Sequence, residues 1–204
     1  MIAWSIEAAH ASGCFEEVVV STDDSKIAVV AERLGATIPF IRPVSIADDY
    51  TDADTVVAHA AGWFIQQGFN LDSVCCIYAT APFIRPSDIR NGLKQLQKSG
   101  CDYAFTVTSY SFPIQRALQI DSQRQLKMFY PEHLNSRSQD LEATYHDAGQ
   151  FYWGRTQAWL DGKPYLLGNS APIQLPGYRV QDIDTPDDWK RAEVMFKAIR
   201  SSNL

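Results

Sequence analysis

The sequence predicts an α/β fold, a doubly wound and mostly parallel sheet with helices on both faces. Short apolar runs alternate with stretches of helical spacing through the first half of the chain. Those runs are continuously apolar, which is the pattern of strands covered on both faces. The 204 residues, 46% hydrophobic and 21% charged, suit one domain with a buried core.

The elements follow in order. Residues 1–10 start a helix with Ile2, Ile6 and Ala9 on one face. Residues 17–21 read as a buried strand that ends in Thr22-Asp23-Asp24-Ser25, which is helix-capping chemistry. Ile27, Val30, Ala31 and Leu34 then recur at helical spacing, and Gly35 closes that helix. Residues 37–41 predict a strand that leaves through Arg42-Pro43, and 54–67 a helix. Residues 73–79 predict a strand, 87–98 a helix and 102–109 a further strand. After Ser109 the pattern turns polar, and 115–130 predict two short strands around Asp121-Ser122-Gln123. Residues 110–146 therefore read as an inserted hairpin or arm. Strands at 148–154 and 178–183 and a helix at 186–200, with Trp189, Ala192, Phe196 and Ile199 inward, complete the domain.

Composition excludes several classes. The net charge of −6, from 24 acidic against 18 basic residues, argues against a nucleic-acid partner. It still allows a pocket for one small phosphate ligand. No apolar run has membrane-spanning length, so no membrane partner is expected. The start Met1-Ile2-Ala3-Trp4-Ser5 lacks the pattern of a secretory signal, and a cytoplasmic location is the expectation. The four cysteines form no CxxC pair and no zinc spacing. Cys75 and Cys76 face opposite sides of a strand and read as reduced, structural thiols.

Ligands of open parallel sheets bind beyond the C-terminal ends of the strands. The candidates there are Thr22, Asp23, Arg42, Thr80, Ser109 and the pair Asp182 and Asp184. On a strand, Asp182 and Asp184 share a face, and one or two carboxylates with substrate phosphates are the usual Mg²⁺ set. The competing reading is that Asp184 or Thr185 caps the helix entered through Pro186. Arg42 and Arg85 offer planar forks for phosphate or carboxylate, or surface ion pairs. Residues 137–147 are either a solvated arm or the lining of a sugar-acid pocket. His59 reads as a packed helix residue.

Several stretches, in order and spacing, resemble the acylneuraminate cytidylyltransferase family. They are Ser21-Thr22-Asp23, Arg42-Pro43, Tyr78-Ala79-Thr80-Ala81-Pro82-Phe83, Arg137-Ser138-Gln139-Asp140-Leu141, Tyr145 to Trp153, and Asp182-Ile183-Asp184-Thr185-Pro186. The stretches at 78–83 and 137–153 look most like the branch that acts on pseudaminic acid.

The resemblance implies a single Rossmann-like nucleotidyltransferase domain over 1–204, with the 110–146 arm packing across a homodimer. It implies transfer of CMP from CTP to a nine-carbon sugar acid, with Mg²⁺ held by Asp182 and Asp184. It puts Arg42, Thr22 and Asp23 on the nucleotide side, and Tyr78, Thr80, Arg137, Gln139 and His146 on the sugar side. Sialic acid or another ulosonic acid is the alternative substrate, and a non-catalytic remnant the alternative role. The family's opening strand and glycine-rich phosphate loop have no match here, since Met1 to Ala9 resembles the helix that follows them. The expectation is an N-terminally incomplete domain.

Overall fold

A computed structural model describes residues 1–202. The sheet is built from four strands, β1 (Ser73–Ile77), β2 (Tyr103–Ser109), β5 (Tyr145–Arg155) and β6 (Ser170–Gln174), in the order β1-β5-β2-β6. β2 and β6 pair in parallel, and β5 runs antiparallel between β1 and β2. Three of the four strands thus run the same way, as the mostly parallel expectation requires. β3 (Leu118–Ile120) and β4 (Leu126–Met128) form the hairpin anticipated in the arm. Asp121 Oδ1 accepts from the backbone N–H groups of Gln123 and Gln125 and fixes its turn.

Six helices surround the sheet: α1 (Ile2–Ser12), α2 (Ser25–Arg33), α3 (Ala53–Gln66), α4 (Pro86–Ser99), α5 (Thr156–Leu160) and α6 (Pro186–Ser202). Their ends follow the local chemistry. Asp24 accepts from Lys26 and Ile27 at the start of α2, and Asp52 accepts from Thr55 at the start of α3. Pro86 opens α4 and Gly100 closes it at a φ of 69°.

One face of the sheet buries Ala104, Phe151, Trp153 and Ile173 against Ala8 of α1 and Ile89 and Leu96 of α4. The other buries Tyr103, Phe105, Val107 and Tyr152 against Val57 of α3 and Trp159 of α5. Helices therefore cover both faces, as doubly wound topology requires. Cys75 packs into the first cluster and Cys76 into the second, as alternation along β1 dictates. All four cysteines are free. Burial pushes the Cys76 thiol up to about 12, and it raises that of Cys75 as well, so neither is a nucleophile at neutral pH.

Four expectations need correction. Residues 17–21 and 37–41 do not join the main sheet: they meet only at a parallel bridge between Val19 and Thr37. Residues 178–183 are not a strand but a 3₁₀ turn at Gly177–Arg179 followed by irregular chain. The strand that flanks β2 lies earlier, at Ser170–Gln174, and contains Pro172 on the sheet edge. Trp189, expected inward, is 46% exposed, whereas Ala192 of the same helix is buried.

Candidate active site

The C-terminal ends of β1 and β2 and the start of the antiparallel β5 lie at one end of the sheet. At that end the β2–β5 register breaks. Phe105 faces Tyr152 and Val107 faces Asp147, so Thr106 alone opposes Ala148 to Phe151. This is a bulge in β5, and bulges re-aim side chains next to functional sites. Gly149 stands in it at a φ of 61°, a left-handed conformation that suits glycine. Buried Thr106 Oγ1 lies within hydrogen-bonding distance of both Phe151 O, at 3.3 Å, and Phe151 N, at 3.4 Å.

Two segments hang on this bulge. Tyr78 N, just past β1, donates to Gln150 O at 2.9 Å. Gln150 Nε2 donates to Arg179 O at 2.7 Å. Arg179 is itself buried and ion-paired with Asp88 at the start of α4, 2.6 Å away. Asp182, three residues beyond, lies against Gly149: a Cβ there would sit 3.6 Å from Asp182 Oδ1.

The strand expected to carry Asp182 and Asp184 is absent, so strand alternation is not what sets their geometry. They lie in the irregular segment before α6, where Asp188, not Asp184, accepts from Thr185 N and Oγ1. The Asp182 carboxyl is held above the usual range first by partial desolvation, then by the charge of Asp184, with Asp147 adding to it.

On the β1 side, the Tyr78 and Tyr152 rings lie 5.2 Å apart. Tyr152 donates to Asp147 Oδ2 at 2.7 Å. Burial first, then that hydrogen bond, raises the Tyr152 phenol far above its ordinary value. The other Asp147 oxygen accepts from Gly149 N at 2.8 Å. His146 Nδ1 donates to Asp147 O at 2.8 Å, which leaves Nε2 for a ligand, and the Tyr110 ring packs 4.8 Å from the imidazole.

The fold therefore gathers Tyr78, His146 and Asp182 around one bulge, with Asp184 two residues further along the chain. Thr80 is on an exposed turn after β1. Arg137 and Gln139 sit on the arm, both exposed, and Arg137 makes a two-pronged pair with Asp140. Thr22, Asp23 and Arg42 form a separate group. Arg42 N donates to Thr22 O, and its guanidinium touches Asp23 at 3.4 Å. Among the described residues, no hydrogen bond or ion pair ties that group to Tyr78 or Asp182. The sequence reading missed Asp147 and Tyr152 as site residues, although both stand in the polar-aromatic stretch it singled out.

The architecture is that of solved cytidyl-transferring enzymes. The structure of CMP:2-keto-3-deoxy-manno-octonic acid synthetase complexed with CTP superposes with a TM-score of 0.61 at 13% identity, over 98% of this chain and 88% of that one. A 4-diphosphocytidyl-2C-methyl-D-erythritol synthase gives 0.60 at 10% identity, over 96% and 89%. These likenesses establish the fold.

Sequence carries the assignment further. The family model described as Cytidylyltransferase matches residues 1–163. A pseudaminic acid cytidylyltransferase of Campylobacter jejuni is 39% identical over 202 residues, covering 99% of this chain and 87% of that protein. A CMP-N,N'-diacetyllegionaminic acid synthase of Legionella pneumophila is 32% identical over 204 residues, covering 97% and 85%. The chain belongs to the cytidylyltransferase family.

Proposed function

We propose that the protein transfers CMP from CTP to pseudaminic acid and releases pyrophosphate. The supporting observation is 39% identity to a pseudaminic acid cytidylyltransferase across 99% of the chain. The sugar's anomeric hydroxyl attacks the α-phosphorus, a C–O–P bond forms, and the bond from that phosphorus to pyrophosphate breaks. Such transfer depends mainly on positioning and on charge stabilisation.

Asp182 and Asp184 are the residues that would hold Mg²⁺. Two carboxylates two residues apart in the chain, one destabilised in its ionised form, fit a cation that completes its shell with phosphate oxygens and water. A cation held there would supply neutralisation of phosphate charge.

Thr22, Asp23 and Arg42 serve the nucleotide side. The Arg42 Nε is buried without a hydrogen-bond partner, and an anionic oxygen would satisfy it. Tyr78, Thr80 and the free Nε2 of His146 line the sugar side. Arg137 and Gln139 reach it from the arm, and the exposed Arg137–Asp140 pair costs little to open. The arm exposes Phe112, Leu118, Ile120, Leu126, Phe129 and Leu134, an apolar surface suited to a second copy of the chain. A homodimer is therefore part of the proposal.

The test is pyrophosphate release with CTP, Mg²⁺ and pseudaminic acid, run beside sialic and legionaminic acids. Preferential release with pseudaminic acid supports the reading. Preference for another acid moves the protein to a neighbouring branch of the family, and release with none removes the assignment of a sugar acid.

A further inference from the structure

The two sides of the site are not independent, because one carboxylate holds both. Asp147 stands at the first residue of the bulge, where β5 leaves its register with β2. One oxygen accepts from Gly149 N at 2.8 Å and closes the left-handed turn on which Asp182 rests. The other accepts from the Tyr152 hydroxyl at 2.7 Å, and Tyr152 is 3% exposed and packed beside Tyr78. Tyr78 is fixed a second time, since its N–H donates to Gln150 O inside the same bulge.

We propose that Asp147 is a positioning residue: by fixing the β5 bulge and the Tyr152 hydroxyl, it sets the cation-holding Asp182 and the sugar-facing Tyr78 relative to one another. The proposal rests on the reading of the site given above. Asp147 acts through its neighbours, since Gly149 and Tyr152 each engage one of its oxygens. Two single substitutions separate the branches of this arrangement. Gly149→Ala strains the turn under Asp182, because φ at that position is 61°. Tyr152→Phe removes only the hydroxyl by which Asp147 holds the ring packed beside Tyr78.

The experiment measures two quantities on the full chain. The first is Mn²⁺ affinity in the presence of CTP without sugar, by titration calorimetry, which needs no turnover. The second is KM and kcat for pseudaminic acid. G149A is expected to weaken Mn²⁺ binding by about fivefold and leave the sugar KM within about twofold. Y152F is expected to do the reverse, since a lost hydrogen bond is worth a factor of about five. Asp147→Ala is expected to impair both by about fivefold or more. Asp147→Asn restores most of each, because its amide oxygen still accepts from Gly149 and its NH₂ still bonds the Tyr152 oxygen.

The proposal is overturned if D147A lowers only the melting temperature while both readouts stay within twofold of wild type. It is equally overturned if D147A moves one readout alone. If D147A does not fold, the opposed patterns of G149A and Y152F decide the matter, and identical patterns refute it. A wild type that binds Mn²⁺ with CTP but turns over no sugar acid sinks the functional reading. The cation branch is then judged on calorimetry with G149A and D147A.

Discussion

The ion pair between Arg179 and Asp88 gives the sharpest test of how the site loop is anchored. Arg179 Nη1 lies 2.6 Å from Asp88 Oδ2, and the two side chains are 8% and 18% exposed. A carboxylate in the first turn of α4 also meets the favourable end of the helix dipole. Asp88→Ala leaves a guanidinium buried without its partner, and the Arg179 Nε already has none. Breaking such a pair costs about 3–5 kcal/mol, and the residual exposure of Asp88 favours the low end. For a chain of this size that is a fall in Tm of about 6–12 °C. Replacing both partners with apolar residues, Asp88→Leu with Arg179→Met, removes the stranded charge, so the double variant should recover most of the loss. The assay is thermal and urea unfolding of wild type, D88A and the double variant. A D88A cost below about 1 kcal/mol would refute the argument, because exposed pairs fall in that range. So would a double variant no more stable than D88A.

The remaining predictions are narrower. Gly92 of α4 faces the sheet so closely that a Cβ would lie 2.7 Å from Trp153 and 2.8 Å from Phe151. Gly92→Ala should therefore destabilise by about 1–3 kcal/mol, outweighing the roughly 1 kcal/mol helix-propensity gain, and a raised urea midpoint would contradict this. Asp182 has a folded-state pKa above its unfolded value, so it favours folding while protonated and loses that contribution as pH rises through the folded pKa. Asp182→Asn should raise Tm by about 1–2 °C at neutral pH, with the gain fading in acid below the ordinary Asp value of about 3.9. The same variant should abolish Mg²⁺-dependent transfer, and wild-type activity in it would remove Asp182 from the metal pair. Leu126→Lys on the arm, a residue 66% exposed, should shift sedimentation toward monomer without lowering Tm, and an unchanged dimer would clear the hairpin of that role.

Elements with a local chemical boundary were legible in the sequence. α3 and α4 announce themselves through apolar residues at helical spacing, and the β3–β4 hairpin through Asp121, whose side chain fixes the turn. β6 was not legible, because Pro172 lacks a donor and reads as loop. On an edge strand paired on one side only, that missing donor can point away from the ladder. Strand direction was also hidden, since an apolar run has no polarity and β5 looks like a parallel strand until its partners are known. The apparent strand at 178–183 failed for a related reason. Its apolar residues, Tyr178 and Val180, flank an arginine that is buried by its ion pair with Asp88.

The site shows the same limit at finer scale. Motif spacing singled out Tyr78, His146, Asp182 and Asp184 as candidates because each lies in a recognisable stretch. It could not find the link between Asp147 and Tyr152. On a regular strand, residues five apart point to opposite faces, so a period of two separates these two side chains. The β5 bulge changes that parity. With Thr106 facing four residues instead of one, Asp147 returns to the side of the sheet where Tyr152 lies, and a hydrogen bond of 2.7 Å becomes possible. The only sequence sign of the bulge is Gly149 inside an otherwise bulky aromatic strand, and a glycine there signals a break in the ladder without saying which residues it reunites. The residue we assign as the organiser of the site is thus defined by an irregularity, and the regular patterns that revealed the fold are what concealed it.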